Sequence, residues 1–333
     1  MTERYAKQDE YENVPAVYLK YGKYSAILLP TIGGNLISFR NDEKGNRYLR
    51  EPEGAEWASF VAKPLLHGIP VLFPPNRYDG GTFTFDGRVY HLPVNEERTN
   101  NHIHGFVYDA EWTLEELAED ENESRATVSF VFDEQHPDYG SFPHRVVLRQ
   151  TFVLSSDGLE QRFEAVNESG QALPFMLGFH TTLNVPFAQG SDVRDIRCGL
   201  PIGDRWELNA RQLPTGKRLP LRDGEQALAA GQGDPFFAGL DDHYAAAGVD
   251  GGRNAVTVED ANAGVRFVYE TGDAFKHWMV YNAEANGSFF CPEPQTGMVN
   301  APNVGLPDDV TGLIRLEPGA KWTATCRMYD RSL

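Results

Sequence analysis

Apolar and polar residues alternate with a period of two along several stretches of the chain. Ala126, Val128, Phe130 and Phe132 interleave with Thr127, Ser129 and Val131. Leu159, Gln161, Phe163 and Ala165 interleave with Glu160, Arg162 and Glu164, and Trp322, Ala324, Cys326 and Met328 with Thr323, Thr325 and Arg327. Successive side chains of a strand point to opposite faces, so each set covers one face of a sheet. Turn chemistry agrees. Asp86-Gly87, between Thr82–Phe85 and Arg88–His91, predicts a tight hairpin, because both central residues of such a turn need positive φ. Residues 256–259 and 265–269 flank a further turn at 260–264. A looser hairpin is predicted between residues 313–316 and 321–323, through Glu317-Pro318-Gly319-Ala320.

Helical periodicity is sparse. Residues 111–120 fit either helix or strand, and residues 224–230 read as one short helical turn. No alternation of strand and long helix supports a βαβ unit. Neither Gly-x-Gly-x-x-Gly nor a Walker A sequence is present, which disfavours Rossmann and P-loop enzymes. A length of 333 residues allows two domains, yet the chain has no linker, repeat or compositional break. The expectation is a single antiparallel all-β domain over residues 1–333, with its strands closed or layered around one core.

Charge narrows the partners. The chain holds 30 Lys plus Arg against 48 Asp plus Glu, a net −18. That surface argues against nucleic acid or an anionic membrane as partner, but not against a small anion held by local arginines. No apolar run is long enough for a membrane span. The start, Met1 to Ala6, leads into Asp9-Glu10 without an apolar core, so no cleaved signal peptide is expected. Cys198, Cys291 and Cys326 form neither a disulfide framework nor a zinc pattern. A reducing cytoplasm is the expected compartment.

Five segments carry candidate chemistry. Asn76-Arg77 ends the apolar, proline-rich run that starts at Gly68, which suggests a rigidly held guanidinium. Its fork suits sugar hydroxyls, a carbonyl or a phosphate, or equally a structural ion pair. His102 and His104, two residues apart, would share a face of a strand. Their ligand set is too small to favour a metal over a hydrogen-bonding or core role. His180 ends the apolar run 175–179, as a core histidine or as a shielded acid or base. Asp241-Asp242-His243-Tyr244 could bind hydroxyls or orient a base, or form an acidic surface loop. Glu293 stands between Pro292 and Pro294, after Phe289-Phe290. Partial burial there raises the pKa and basicity of a carboxylate, making Glu293 the best single general-base candidate; a turn carboxylate bonded to backbone is the alternative.

Taken in order, Asn76-Arg77, Asn101…His104-Gly105, His180 with Asn184, Asp242-His243 and Glu293-Pro294-Gln295-Thr296-Gly297 resemble the aldose 1-epimerase (galactose mutarotase) family over essentially the whole chain. The resemblance implies a large antiparallel β-sandwich, a supersandwich, with a sugar cleft across one sheet. It implies no organic cofactor and no catalytic metal. It assigns His180 as general acid at the ring oxygen and Glu293 as the base that takes the proton from the anomeric hydroxyl. Arg77, His104 and Asp242 would hold and polarise the sugar, with Asn76 and Gln295 as further contacts. The partner implied is a small-molecule sugar or sugar phosphate, acted on by a monomer or homodimer.

Two departures stand out. His180-Thr181-Thr182-Leu183-Asn184 replaces the family's His-Pro-Tyr-Phe-Asn pattern, and Phe106 follows Gly105 where many sugar mutarotases carry another glycine. The wall near the anomeric carbon is therefore expected to differ. A free hexose is the first expectation for substrate. A hexose-6-phosphate 1-epimerase is the alternative, marked by a basic pocket away from Glu293. A noncatalytic carbohydrate-binding protein would keep Arg77 and Asp242 without needing the acid–base pair. A glycosidase is a weaker reading, since it calls for two carboxylates at controlled separation.

Overall fold

The alternating segments pair as antiparallel strands. In the computed structural model, residues 2–247 and 254–333 are described. One sheet has eight strands, in the order Thr113–Glu119, Glu123–Phe132, Val146–Ser155, Gly158–Asn167, Lys321–Ser332, Val265–Thr271, Asn254–Asp260 and Ile196–Gly199. Its register matches the apolar pattern: Leu159, Gln161, Phe163 and Ala165 lie opposite Met328, Cys326, Ala324 and Trp322. Residues 111–120 resolve as the strand Thr113–Glu119, because pairing with Glu123–Phe132 covers what would be a lone amphipathic turn.

A second sheet runs Pro214–Leu219, Ile202–Leu208, Asp241–Ala246, His277–Tyr281, Phe289–Gln295, Gly178–Phe179 and Val71–Leu72, with Leu183–Asn184 also paired to Phe289–Gln295. The two sheets face one another. Phe163 of the first meets Phe179 of the second at 5.8 Å between ring centroids, and Thr181 donates a hydrogen bond to the Tyr269 hydroxyl. Truncating either phenylalanine to alanine would cost about 3–5 kcal/mol in a core of this kind. A five-stranded N-terminal sheet, Arg4–Tyr11 to Asn46–Arg47, joins the same hydrophobic cluster through Val17, Leu28 and Phe39.

The Asp86-Gly87 hairpin forms as expected, with φ of 50° and 75° at the two turn residues. The short helical turn appears at Asp223–Ala229. The looser hairpin does not form. Ile314–Leu316 pairs with Leu173–Phe175, while Lys321–Ser332 inserts between Gly158–Asn167 and Val265–Thr271. The turn is present, with Ala320 N–H donating to the Glu317 carbonyl. It passes the chain from one sheet to another, because both edges of the long final strand are already taken.

Candidate active site

Register in the second sheet decides which side chains meet. Asp241 lies opposite Tyr281, and Tyr281 opposite Cys291; His243 lies opposite Met279, and Met279 opposite Glu293; Ala245 lies opposite His277, and His277 opposite Gln295. Directly opposed residues share a face, and alternation sends their neighbours to the other. Asp241, Met279, Tyr281 and Glu293 therefore stand together and line a cavity of about 690 Å³. That volume is in the roughly 300–1,000 Å³ range of small-molecule pockets.

Two expected contacts fall elsewhere. Asp242 projects from the opposite face, beside Tyr244. It accepts from Arg222 at 2.6 Å and lies 3.5 Å from Arg205, outside the cavity lining. Strand parity gives the position in the cavity to Asp241. Gln295 shares a face with Glu293 but sits one row further on, fully buried, with no hydrogen-bond partner for its amide among the described residues. It does not reach the cavity.

The facing wall is built from the turn after the proline-rich run. Asn76 takes a left-handed conformation, φ 55°, and its side chain accepts from the Arg77 N–H at 2.9 Å. Arg77 is buried and binds Glu96 through two nitrogens, each at 3.0 Å, while a third contact reaches Asp241 at 3.6 Å. A paired guanidinium of this kind is held in one orientation. Burial works against its charge, but the Glu96 hydrogen bonds together with the negative charges of Asp241, Glu96 and Glu293 outweigh it.

His104 N–H donates to the Asn76 carbonyl, which ties the two segments together. His104 lies just past the strand Asn101–Ile103, with φ 68°. That reversal separates it from His102. His102 turns into the core against Phe106 and bonds the Pro93 carbonyl, so the expected shared face is lost. Gly105, at φ 72°, makes the bend feasible: a Cβ there would sit 2.1 Å from the Phe73 carbonyl oxygen.

His180 reaches the same cavity from the end of Gly178–Phe179. Its Nε2 lies 3.3 Å from Glu293 Oε1, and its ring meets that of His104 edge-on at 5.4 Å. Burial pushes His180 down to about 4, with Lys63 and Arg77 adding to the effect. Burial also lowers His104 well below the usual imidazole range, helped by His180 and Arg77. Glu293 moves the other way: burial holds it well above the carboxylate range, Asp241 reinforces this, and Arg77 opposes it. The opposed shifts favour a proton on Glu293 over one on His180, with a neutral imidazole beside it.

The cavity therefore gathers Asn76, Arg77, His104, His180 and Glu293, and leaves out Asp242 and Gln295. Sequence reasoning named the Asp241-Asp242 pair but assigned the contact to Asp242, and it missed Glu96 and the outer wall. Parity in Asp241–Ala246 was the available signal for Asp241, since Tyr244 reads as a core residue and Asp242 shares its face. The outer wall comes from the segment around the short helix Trp57–Ala62, where Arg50 and His67 both contact Glu56. No motif marks that segment. Among the described residues, no group of three or more His, Cys, Asp or Glu is arranged to hold a metal ion.

The chain belongs to the aldose 1-epimerase family, whose model matches residues 15–329. A galactose mutarotase-like protein from Clostridium acetobutylicum is similar over 99% of both chains, at 30% identity and a TM-score of 0.96. A galactose 1-epimerase from Lactobacillus acidophilus shares the fold at 15% identity, covering 100% of this chain and 99% of its own, with a TM-score of 0.76. The human galactose mutarotase is 25% identical over 172 residues, 50% of this chain and 46% of that protein. The chain spans about half the length of the curated relatives it matches, 52% for the LacX proteins of Lactococcus lactis.

Proposed function

We propose that the protein interconverts the α and β anomers of an aldose by acid–base opening and closing of the sugar ring. The observation that carries this reading is the 3.3 Å contact between His180 and Glu293 at the wall of one cavity. Ring opening needs a proton delivered to the ring oxygen and a proton removed from the anomeric hydroxyl. Both oxygens are bonded to C1, so the two groups that serve them must be neighbours.

The proton count also fits. Transfer of the resident proton from Glu293 to His180 creates an imidazolium and a carboxylate. His180 then gives its proton to the ring oxygen while Glu293 takes one from the anomeric hydroxyl. The C1–O5 bond breaks and C1 becomes an aldehyde. Rotation about C1–C2 presents its other face, and closure reverses both transfers. Arg77, held by Glu96, and the neutral His104 are placed to donate hydrogen bonds to oxygens near C1 as charge develops. Asp241 takes the role expected of Asp242, accepting from hydroxyls further round the ring.

Anomer-resolved NMR or polarimetry on a panel of aldoses tests the reading. Accelerated exchange for at least one sugar is expected. A chain that binds sugars yet leaves their anomers at the uncatalysed rate would instead be a carbohydrate-binding protein.

A further inference from the structure

Four cations line the cavity, and they fall into two kinds. Arg50 is bound to Glu56, and Arg77 to Glu96. Lys63 and Arg98 are exposed on the same lining, and neither makes an ion pair or side-chain hydrogen bond among the described residues. In a chain with 48 acidic and 30 basic residues, an exposed cation has many carboxylates to choose from. The lining itself carries Glu56, Glu96, Asp241 and Glu293, yet neither Lys63 nor Arg98 forms an ion pair with any of them.

Their charges are felt inside. Lys63 contributes to the lowering of both His180 and His104, and Arg98 is among the groups that draw Asp241 downward against its burial. A concave, partly apolar wall focuses such fields on an incoming ligand. His180 and Glu293 address C1 and the ring oxygen, so a charge held by Lys63 and Arg98 belongs to another part of the sugar.

We propose that Lys63 and Arg98 form an anion subsite, and that the preferred substrate is an aldose bearing a phosphate, sulfonate or carboxylate away from C1. This rests on the mutarotase reading and deepens it. The ammonium of Lys63 supplies a point charge and the fork of Arg98 a planar pair of donors, a combination suited to a tetrahedral or planar oxyanion.

The test compares anomer exchange by NMR for a neutral hexose, its 6-phosphate, its 6-sulfonate and the corresponding uronic acid, at low and high salt. One charged sugar is expected to exceed the neutral one in kcat/KM by about 10-fold or more, with an advantage that shrinks as salt rises. The ranking of the three charged sugars identifies the anion. In the double variant Lys63→Gln/Arg98→Gln the charged-to-neutral ratio should fall about tenfold. A ratio near one in the native protein, or one that the substitutions leave unmoved, overturns the subsite. If no sugar exchanges faster, the mutarotase reading fails, and calorimetric titration with the hexose 6-phosphate decides the subsite alone. Affinity lost in the double variant supports it; absent or unchanged binding overturns it.

Discussion

His180 Nε2 and Glu293 Oε1 stand 3.3 Å apart at the wall of the cavity, each nearly sealed from solvent. The contact couples the two groups, and the proposed mechanism uses them as one acid–base unit. Glu293→Gln removes the proton acceptor, and His180→Asn removes the donor. Each is expected to lower kcat by about 10²–10⁴-fold, the usual worth of a positioned acid or base. Circular dichroism should show both variants folded. Exchange at the native rate in either one would reject its assigned role.

The same contact predicts a bell-shaped pH dependence. The working unit holds one proton. On the acid side, His180 gains a second proton near its depressed value of about 4, and activity falls there. On the alkaline side, the pair loses its only proton as pH passes the raised value of Glu293, above the normal carboxylate range. A kcat/KM profile, which reports the ionisations of the free protein, with a plateau reaching below pH 6.5, the ordinary imidazole value, supports this order. An acid limb at the ordinary imidazole value would contradict it.

Asp241 and Asp242 offer a paired control. Asp241→Asn should raise KM, because it removes an acceptor that faces the cavity beside Arg77. Asp242→Asn should leave KM nearly native and cost about 0.2–1 kcal/mol of stability through the loss of its Arg222 pairing. Steady-state kinetics and denaturant melts separate the two. The opposite pattern would return the binding role to Asp242.

How much of this was legible beforehand depends on the distance over which residues speak to each other. The strand from Leu159 to Ala165 announced itself through its own alternation, and Asp86-Gly87 through turn chemistry. Neither needed a distant partner. The failed hairpin at residues 313–323 did. Its two strands are claimed by residues 173–175 and by 158–167 and 265–271, which no local pattern reveals. The site divides in the same way. Glu293 and His180 stood out because a titratable group set in an apolar, proline-flanked run is locally odd. Glu96, nineteen positions from its partner Arg77, looks like any surface acid. Asp241 lines the cavity and Asp242 does not, because a step of one residue in a strand is a change of face.

Burial of histidine has a cost outside the site. His102, His144, His180 and His277 are each pushed down to about 4, first of all by burial. A group depressed in the folded state contributes stability that is present above its unfolded value, 6.5, and is lost as pH falls towards 4. The unfolded chain takes up more protons across that window. Melting temperature should therefore drop by several degrees between pH 7 and pH 5. An unchanged melting temperature over that interval would show that these rings are not held neutral.

The strand Phe289–Gln295 is paired on both flanks, by His277–Tyr281 and by Gly178–Phe179 with Leu183–Asn184. Glu293 thus hangs from a strand paired along one flank with His277–Tyr281 and pinned on the other at Phe289, Phe290 and Gln295. A strand held in this way opens together with the sheet that holds it. The Glu293 carboxyl is consequently as durable as the sheet that carries it. On heating, turnover should vanish together with the global unfolding transition rather than ahead of it, so that lost activity serves as a direct reading of the unfolded fraction.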